Sequence, residues 1–205
     1  MGAGEGRAYR GVSAGDRTAA RRAALLEAAL DLLGGDPPAA ATMTAVCERA
    51  GLTERYFYES FRSRDELLVA LLDQVAGEVL SATVAVLDEE GGADVLVRRG
   101  LEALVAVLGG DPRKGRFALV TSLEVPVLRE RRAVLLTDFE HLLAERTRRL
   151  YGDRAWVAPD DRIEALLFVG GLAELLAAWL AGTVPATREQ VVAAAARHYE
   201  ATAHR

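Results

Sequence analysis

Between residues 34 and 66 the chain is broken by stop and start signals too closely spaced for any long element. Gly34-Gly35-Asp36-Pro37-Pro38 ends whatever precedes it. Thr42 suits the N-cap of a helix running to Ala50, and Gly51 follows where a left-handed residue closes a helix. Thr53 caps a second short helix from about Glu54 to Phe61, and Ser63-Arg64-Asp65-Glu66 is a capping box that opens a third. Helices of two turns cannot stand alone and must pack on a neighbour. The neighbour is a helix over about 16–33, with Leu25, Ala28, Ala29, Leu32 and Leu33 on one face.

The rest of the chain also reads as helix. Alanine, leucine, arginine and glutamate dominate, and alternating β-branched runs are scarce. Helices are expected over about 64–87, 94–108 (ended by Gly109-Gly110), from Asp111-Pro112 to Pro126, from there to about 151, over 160–181, and from the Thr187-x-x-Gln190 capping box to about 201. The fold class is all-α. The expected domains are a disordered tail, 1–15, a three-helix helix-turn-helix domain, 16–62, and a helical ligand-binding and dimerisation domain, 63–205.

The wider composition excludes several classes. One cysteine, Cys47, rules out a disulfide framework and a multi-cysteine metal site, and reads as a small half-buried filler. Three histidines, two of them near the C-terminus, and no nucleophile, zinc-protease, Walker or dinucleotide motif argue against an enzyme and for no cofactor and no metal. No uninterrupted run of about 18 apolar residues occurs, which implies no transmembrane helix and no membrane partner. Residues 1–15 lack the apolar middle of a signal peptide, so a cytoplasmic location is expected. The net charge of −5 is unevenly spread: residues 1–64 sum to +1 and the remainder to −6. That asymmetry alone is too mild to imply nucleic acid.

The stretch Thr42 to Leu68 carries more. Two short helices joined at Ala50-Gly51, with Phe57 and Phe61 as anchors on the second, form a helix-turn-helix. Thr53, Glu54, Arg55, Tyr56, Tyr58 and Glu59 are left facing outward near the end that enters the major groove in such motifs. Thr42, Val46, Ala50-Gly51-Leu52-Thr53, Phe57-Tyr58, Phe61 and Ser63-Arg64-Asp65-Glu66-Leu67 resemble the tetracycline-repressor (TetR) family of bacterial regulators. The resemblance spans about residues 17–70.

It implies a ligand-responsive transcriptional regulator, a repressor that binds a palindromic DNA operator as a homodimer. Thr42, Thr53, Tyr58 and Arg64 would then contact phosphates, and Arg55 and Tyr56 would read bases, with Glu54 beside them. Arg55 also reads as a plain solvated charge and Tyr56 as local packing. Glu54 and Glu59 sit oddly beside phosphates. They keep open an alternative: a helix-turn-helix interaction protein that has lost sequence-specific DNA binding.

The apolar girth of 160–181 demands burial on more than one side, and Gly170-Gly171 permits a close helix. With the family's dimer arrangement in mind, Phe168, Leu172, Leu175, Leu176, Val191, Val192, Ala195 and Tyr199 are the expected interface. An effector pocket for a small, largely apolar molecule is implied among 94–151 and Trp179, with Phe117, Glu124, Phe139, His141 and Trp179 as candidate lining.

Overall fold

A computed structural model describes residues 14–203. The proposed disordered tail falls almost wholly outside that range, as does His204. Among the described residues there are ten α-helices and no strand. They are α1 (Ala14–Leu33), α2 (Met43–Ala50), α3 (Glu54–Ser60), α4 (Arg64–Leu87), α5 (Ala93–Gly110), α6 (Pro112–Arg116), α7 (Ser122–Glu124), α8 (Pro126–Tyr151), α9 (Asp160–Leu180) and α10 (Arg188–Thr202). The all-α expectation therefore holds, and the head helices begin and end within a residue or two of where their caps place them.

The caps act as their chemistry requires except at Thr53, which holds the extended cap conformation while its side chain makes no cap hydrogen bond. The Thr42 hydroxyl accepts from the Ala45 amide at 3.2 Å. Gly51 adopts φ 65°, the left-handed conformation that favours glycine, and closes α2. Ser63 accepts from the Glu66 amide at 3.1 Å, and the Glu66 carboxylate reaches back to accept from the Arg62 amide at 2.6 Å, one residue beyond the reciprocal partner in a full box. Thr187 and Gln190 complete the reciprocal pair at the start of α10.

α1 packs on α2, α3 and α4, and its predicted apolar face is buried. Phe57 and Phe61 are fully enclosed beside Val46 and Leu67. Each such aromatic contributes roughly 1.5–3 kcal/mol by burial, which is what holds a seven-residue α3 in place. The body is a bundle in which α4 lies between α5 and α8, α8 backs onto α9, and α10 packs on α5 and α9. The core runs without interruption from the head into this bundle.

Two departures from the sequence reading have physical causes. α5 continues through Gly109-Gly110, and Gly109 admits a close approach there: a Cβ on it would lie 3.0 Å from the Trp179 ring. The segment after Pro112 is also not one α-helix. It carries a π-helical turn, Phe117–Thr121, between α6 and α7. Ser122 donates to the Ala118 carbonyl at 2.6 Å, and Thr121 to the Leu33 carbonyl at 3.0 Å, and together they hold the widened turn against α1.

By length and mean hydropathy (1.6 and 1.8), α4 and α9 are both apolar enough to cross a membrane, which the test of uninterrupted runs passes over. α4 buries Leu67, Leu68, Leu71, Leu72, Val75 and Val79 in the core, whereas α9 leaves Ile163, Leu166 and Leu167 exposed.

Candidate DNA interface and ligand cavity

α3 is braced from one side by α1. Arg21 places its guanidinium 4.4 Å over the Tyr56 ring and donates to Glu59 at 3.3 Å. Arg22 lies 4.2 Å over Phe61 and donates to the Ser60 carbonyl at 3.1 Å. Arg55 donates to Glu59 at 3.2 Å, one helical turn along. Glu59 thus ties α3 to α1 and orients Arg55, which accounts for an acid in a helix of this kind. Sequence reasoning missed Arg21 and Arg22, because their partners lie some 38 residues away and no local spacing announces them.

The other expected head residues fall as follows. Thr53, Glu54 and Tyr58 are exposed, as is Arg55, with 85% of its side chain accessible. Thr42 is exposed at the start of α2. Tyr56 is half-buried beneath Arg21, so one ring face is covered. Arg64 is half-buried and donates to the Ala41 carbonyl at 2.7 Å, stapling the start of α4 to the approach to α2. Cys47 is buried, and that burial, with Glu54 nearby, pushes its thiol above the usual range.

The head meets the body at the end of α1. Arg113 of α6 donates to its neighbour Asp111 at 2.7 Å, to Glu27 at 2.8 Å and to Asp31. The hydrogen bonds to Asp111 and Glu27 raise the Arg113 pKa, and the Arg113 side chain holds the Asp111 carboxyl below its usual value. Arg116 donates to the Gly34 carbonyl at 2.9 Å. Gly34 is pressed so close that a Cβ there would collide with the Arg113 backbone.

Behind this contact lies a cavity of about 200 Å³ among α4, α5, α8, α9 and α10, with Ala118 and Leu119 of the π-turn in its wall. Its surface is almost entirely hydrocarbon, as in Val79, Leu101, Leu104, Leu135 and Leu143. Of the five candidate ligand residues, Phe139 lines it. The other four do not, each for a visible reason. Phe117 is fully buried in the core. Glu124 and His141 are exposed. Trp179 donates to the Ala186 carbonyl at 2.9 Å and fills the gap at Gly109. The lining came instead from the inner faces of α4 and α5, where apolar periodicity looks the same for a core and for a cavity.

The expected interface residues separate by side of helix. Phe168, Leu176, Val191, Val192, Ala195 and Tyr199 are buried within their own subunit, because α9 and α10 close the bundle with these faces. Tyr199 is bonded to Thr147 at 2.6 Å. Leu172 and Leu175 are half-buried beside a shallow groove between α9 and α10 that Gly171 and His198 also border. The uncovered apolar side of α9 is Ile163, Leu166 and Leu167, about one helical turn along, with Leu167 62% exposed.

Residues 25–71 match the family model for bacterial regulatory proteins of the tetR family. No curated protein matches the chain. Among solved structures, the fatty acid degradation regulator FadR from Bacillus halodurans superimposes with a TM-score of 0.73 at 15% identity, covering 86% of this chain and 93% of that one. FadR from Bacillus subtilis in complex with stearoyl-CoA gives 0.69 at 15%, covering 87% and 95%. A TetR family regulator from Marinobacter aquaeolei gives 0.66 at 20%, covering 92% and 98%. At such identities the structures establish the fold, and the family model establishes the head. Residues 25–71 thus carry the helix-turn-helix head that the tetR family model describes, and the chain as a whole has the fold of these solved regulators.

Proposed function

We propose that the protein is a ligand-responsive repressor that binds a palindromic operator as a homodimer and releases it when a small molecule fills the body cavity. The observation that carries this is the joint one: an exposed α3 braced on α1, and a hydrocarbon cavity whose wall is the same π-turn that bonds to the end of α1.

In this reading Arg55, at the open end of α3, pairs with a base edge, and Glu54 beside it accepts from an exocyclic amine. Thr42, Thr53, Tyr58 and Arg64 contact phosphates. Tyr56 packs against the groove with the edge that Arg21 leaves free. The head comprises 16–62 and the effector and dimer domain 63–205. Two heads related by a two-fold axis reach half-sites one helical turn apart, about 34–36 Å. The partner subunit covers Ile163, Leu166 and Leu167 of α9, with Leu172 and Leu175 at the rim.

The effector acts by linkage: if it favours a packing of the π-turn that shifts α1, it weakens operator binding. A coupling of about 1–3 kcal/mol corresponds to about 5–150-fold in affinity. The alternative of a head turned to protein contacts loses one of its two supports, since Glu59 is engaged within the head.

The test pairs two measurements on the full-length protein. Light scattering is expected to give about twice the 22.0 kDa chain mass. Binding to mixed duplex DNA is expected to weaken steeply with salt, in proportion to the phosphates contacted. A monomer with salt-independent or absent DNA binding would reject the proposal.

A further inference from the structure

The cavity has one guanidinium without a counter-ion among the described residues. Arg132, on α8, lines it, is half-buried, and makes no hydrogen bond or ion pair among the described residues. The other arginine of the lining, Arg146, is paired with Asp88, though its buried Nε has no hydrogen-bond partner among the described residues. The remaining polar groups are also engaged: the Thr83 hydroxyl donates to the Val79 carbonyl at 2.8 Å, and the Tyr199 hydroxyl is bonded to Thr147 at 2.6 Å. A ligand therefore meets hydrocarbon everywhere except at two guanidinium groups, of which that of Arg132 has no carboxylate beside it among the described residues.

The lining is also long. On α4 it extends from Leu72 to Leu87, about 22 Å at a rise of about 1.5 Å per residue. An extended chain advances roughly 1.2 Å per bond, so that length matches an alkyl chain of about 18 bonds. Arg132 is the first lining residue of α8, and its neighbour Arg131 donates to Asp73 at 2.6 Å, which fixes this end of α8 beside the first half of α4. Arg146 meets Asp88 at the other end of α4. Arg132 thus stands at the end of the cavity nearer the DNA-binding head.

We propose that the cavity takes a single-chain aliphatic molecule with an anionic head, its chain laid between α4 and α8 and its head at Arg132. The inference rests on the reading of this cavity as the effector site. A guanidinium held against apolar walls lacks the solvation it has in water, and an anion restores charge-assisted hydrogen bonds where a neutral head cannot. A multiply polar ring compound finds, beyond these two guanidinium groups, no donors or acceptors left to orient it. The head carries either a free carboxylate or the phosphates of an acyl thioester, and the chemistry shared by both is an anion at the end of a long chain.

The experiment displaces an apolar fluorophore from the full-length protein with hexadecanoate, hexadecanoyl-CoA and the uncharged hexadecanol, each below its aggregation threshold. At least one anion is expected to bind about tenfold or more tighter than hexadecanol. The tighter of the two anions identifies the source. Arg132→Gln is expected to lose that preference while keeping its affinity for hexadecanol, which also reports an intact fold, and Arg132→Lys to recover much of it. Equal affinity for hexadecanol and both anions, a preference that survives Arg132→Gln, or no displacement by any of the three would overturn the inference. Operator binding is measured on the same preparation without lipid, so a failure here is distinguishable from a failure of the regulator reading.

Discussion

The hydroxyl of Thr121 donates to the carbonyl of Leu33 at 3.0 Å, and both residues are buried. Leu33 is the last residue of α1, and Thr121 is the last residue of the π-turn whose Ala118 and Leu119 line the cavity. One hydrogen bond therefore joins the wall of the cavity to the helix that braces α3. A π-turn is a strained geometry with a nearby α-helical alternative, which suits it to two packings.

Thr121→Val is expected to preserve shape and remove this link. Leaving the Leu33 carbonyl without a partner costs about 1–3 kcal/mol of stability, read by urea denaturation. Hydrogen exchange at the end of α1 should rise, and the effector-driven loss of operator affinity should shrink. Unchanged stability and exchange would show that the link is incidental.

The ion cluster beside it gives a pH dependence. Arg113 depresses the Asp111 pKa by its side-chain hydrogen bond. For a depressed carboxyl the stabilisation is present above the unfolded-state value and is lost as pH falls through the folded one. Stability measured between pH 5 and pH 2 should therefore fall less steeply in Asp111→Asn than in the native protein. Identical slopes would remove Asp111 from the head–body contact.

Glu59 holds Arg55 and Arg21 at once. Glu59→Gln weakens both tethers and removes a negative charge from the face proposed to meet DNA. Affinity for DNA of any sequence should rise by a fewfold while discrimination among sequences falls. Arg55→Ala should relax discrimination with little change in the salt slope. Competition binding against specific and mixed duplexes separates the two effects. A rise in discrimination for Glu59→Gln would contradict the bracing role.

Much of this was legible in the sequence, and the boundary between what was and was not is physical. The caps at Thr42, Gly51, Ser63 and Thr187 are local chemistry, so residues within four positions of one another suffice to find them. The anchors Phe57 and Phe61 follow from spacing alone. The π-turn depends on Thr121 meeting Leu33 across 88 residues, and the bracing of α3 depends on Arg21 and Arg22; neither leaves a local mark. The ligand candidates went astray because Glu124 and His141 looked unusual among apolar neighbours, and each simply faces solvent. On α9 and α10 the apolar residues were identified and the outward side was not, since a helix apolar all round carries no phase.

That last point yields a prediction for the dimer. Leu167 is exposed on α9 while Leu176 is enclosed. Leu167→Glu is expected to give a folded monomer with native helicity by circular dichroism. Leu176→Ala should leave the association state alone and cost about 2–5 kcal/mol of stability. A dimeric Leu167→Glu would place the interface elsewhere.

The central claim, sequence-specific binding by a paired helix-turn-helix, is tested most directly by selecting bound duplexes from a random DNA pool at two salt concentrations. The account predicts an enriched palindrome with half-sites about one helical turn apart, retained at the higher salt. Recovery of no motif at either salt, from protein shown to be folded and dimeric and freed of bound lipid, would contradict it.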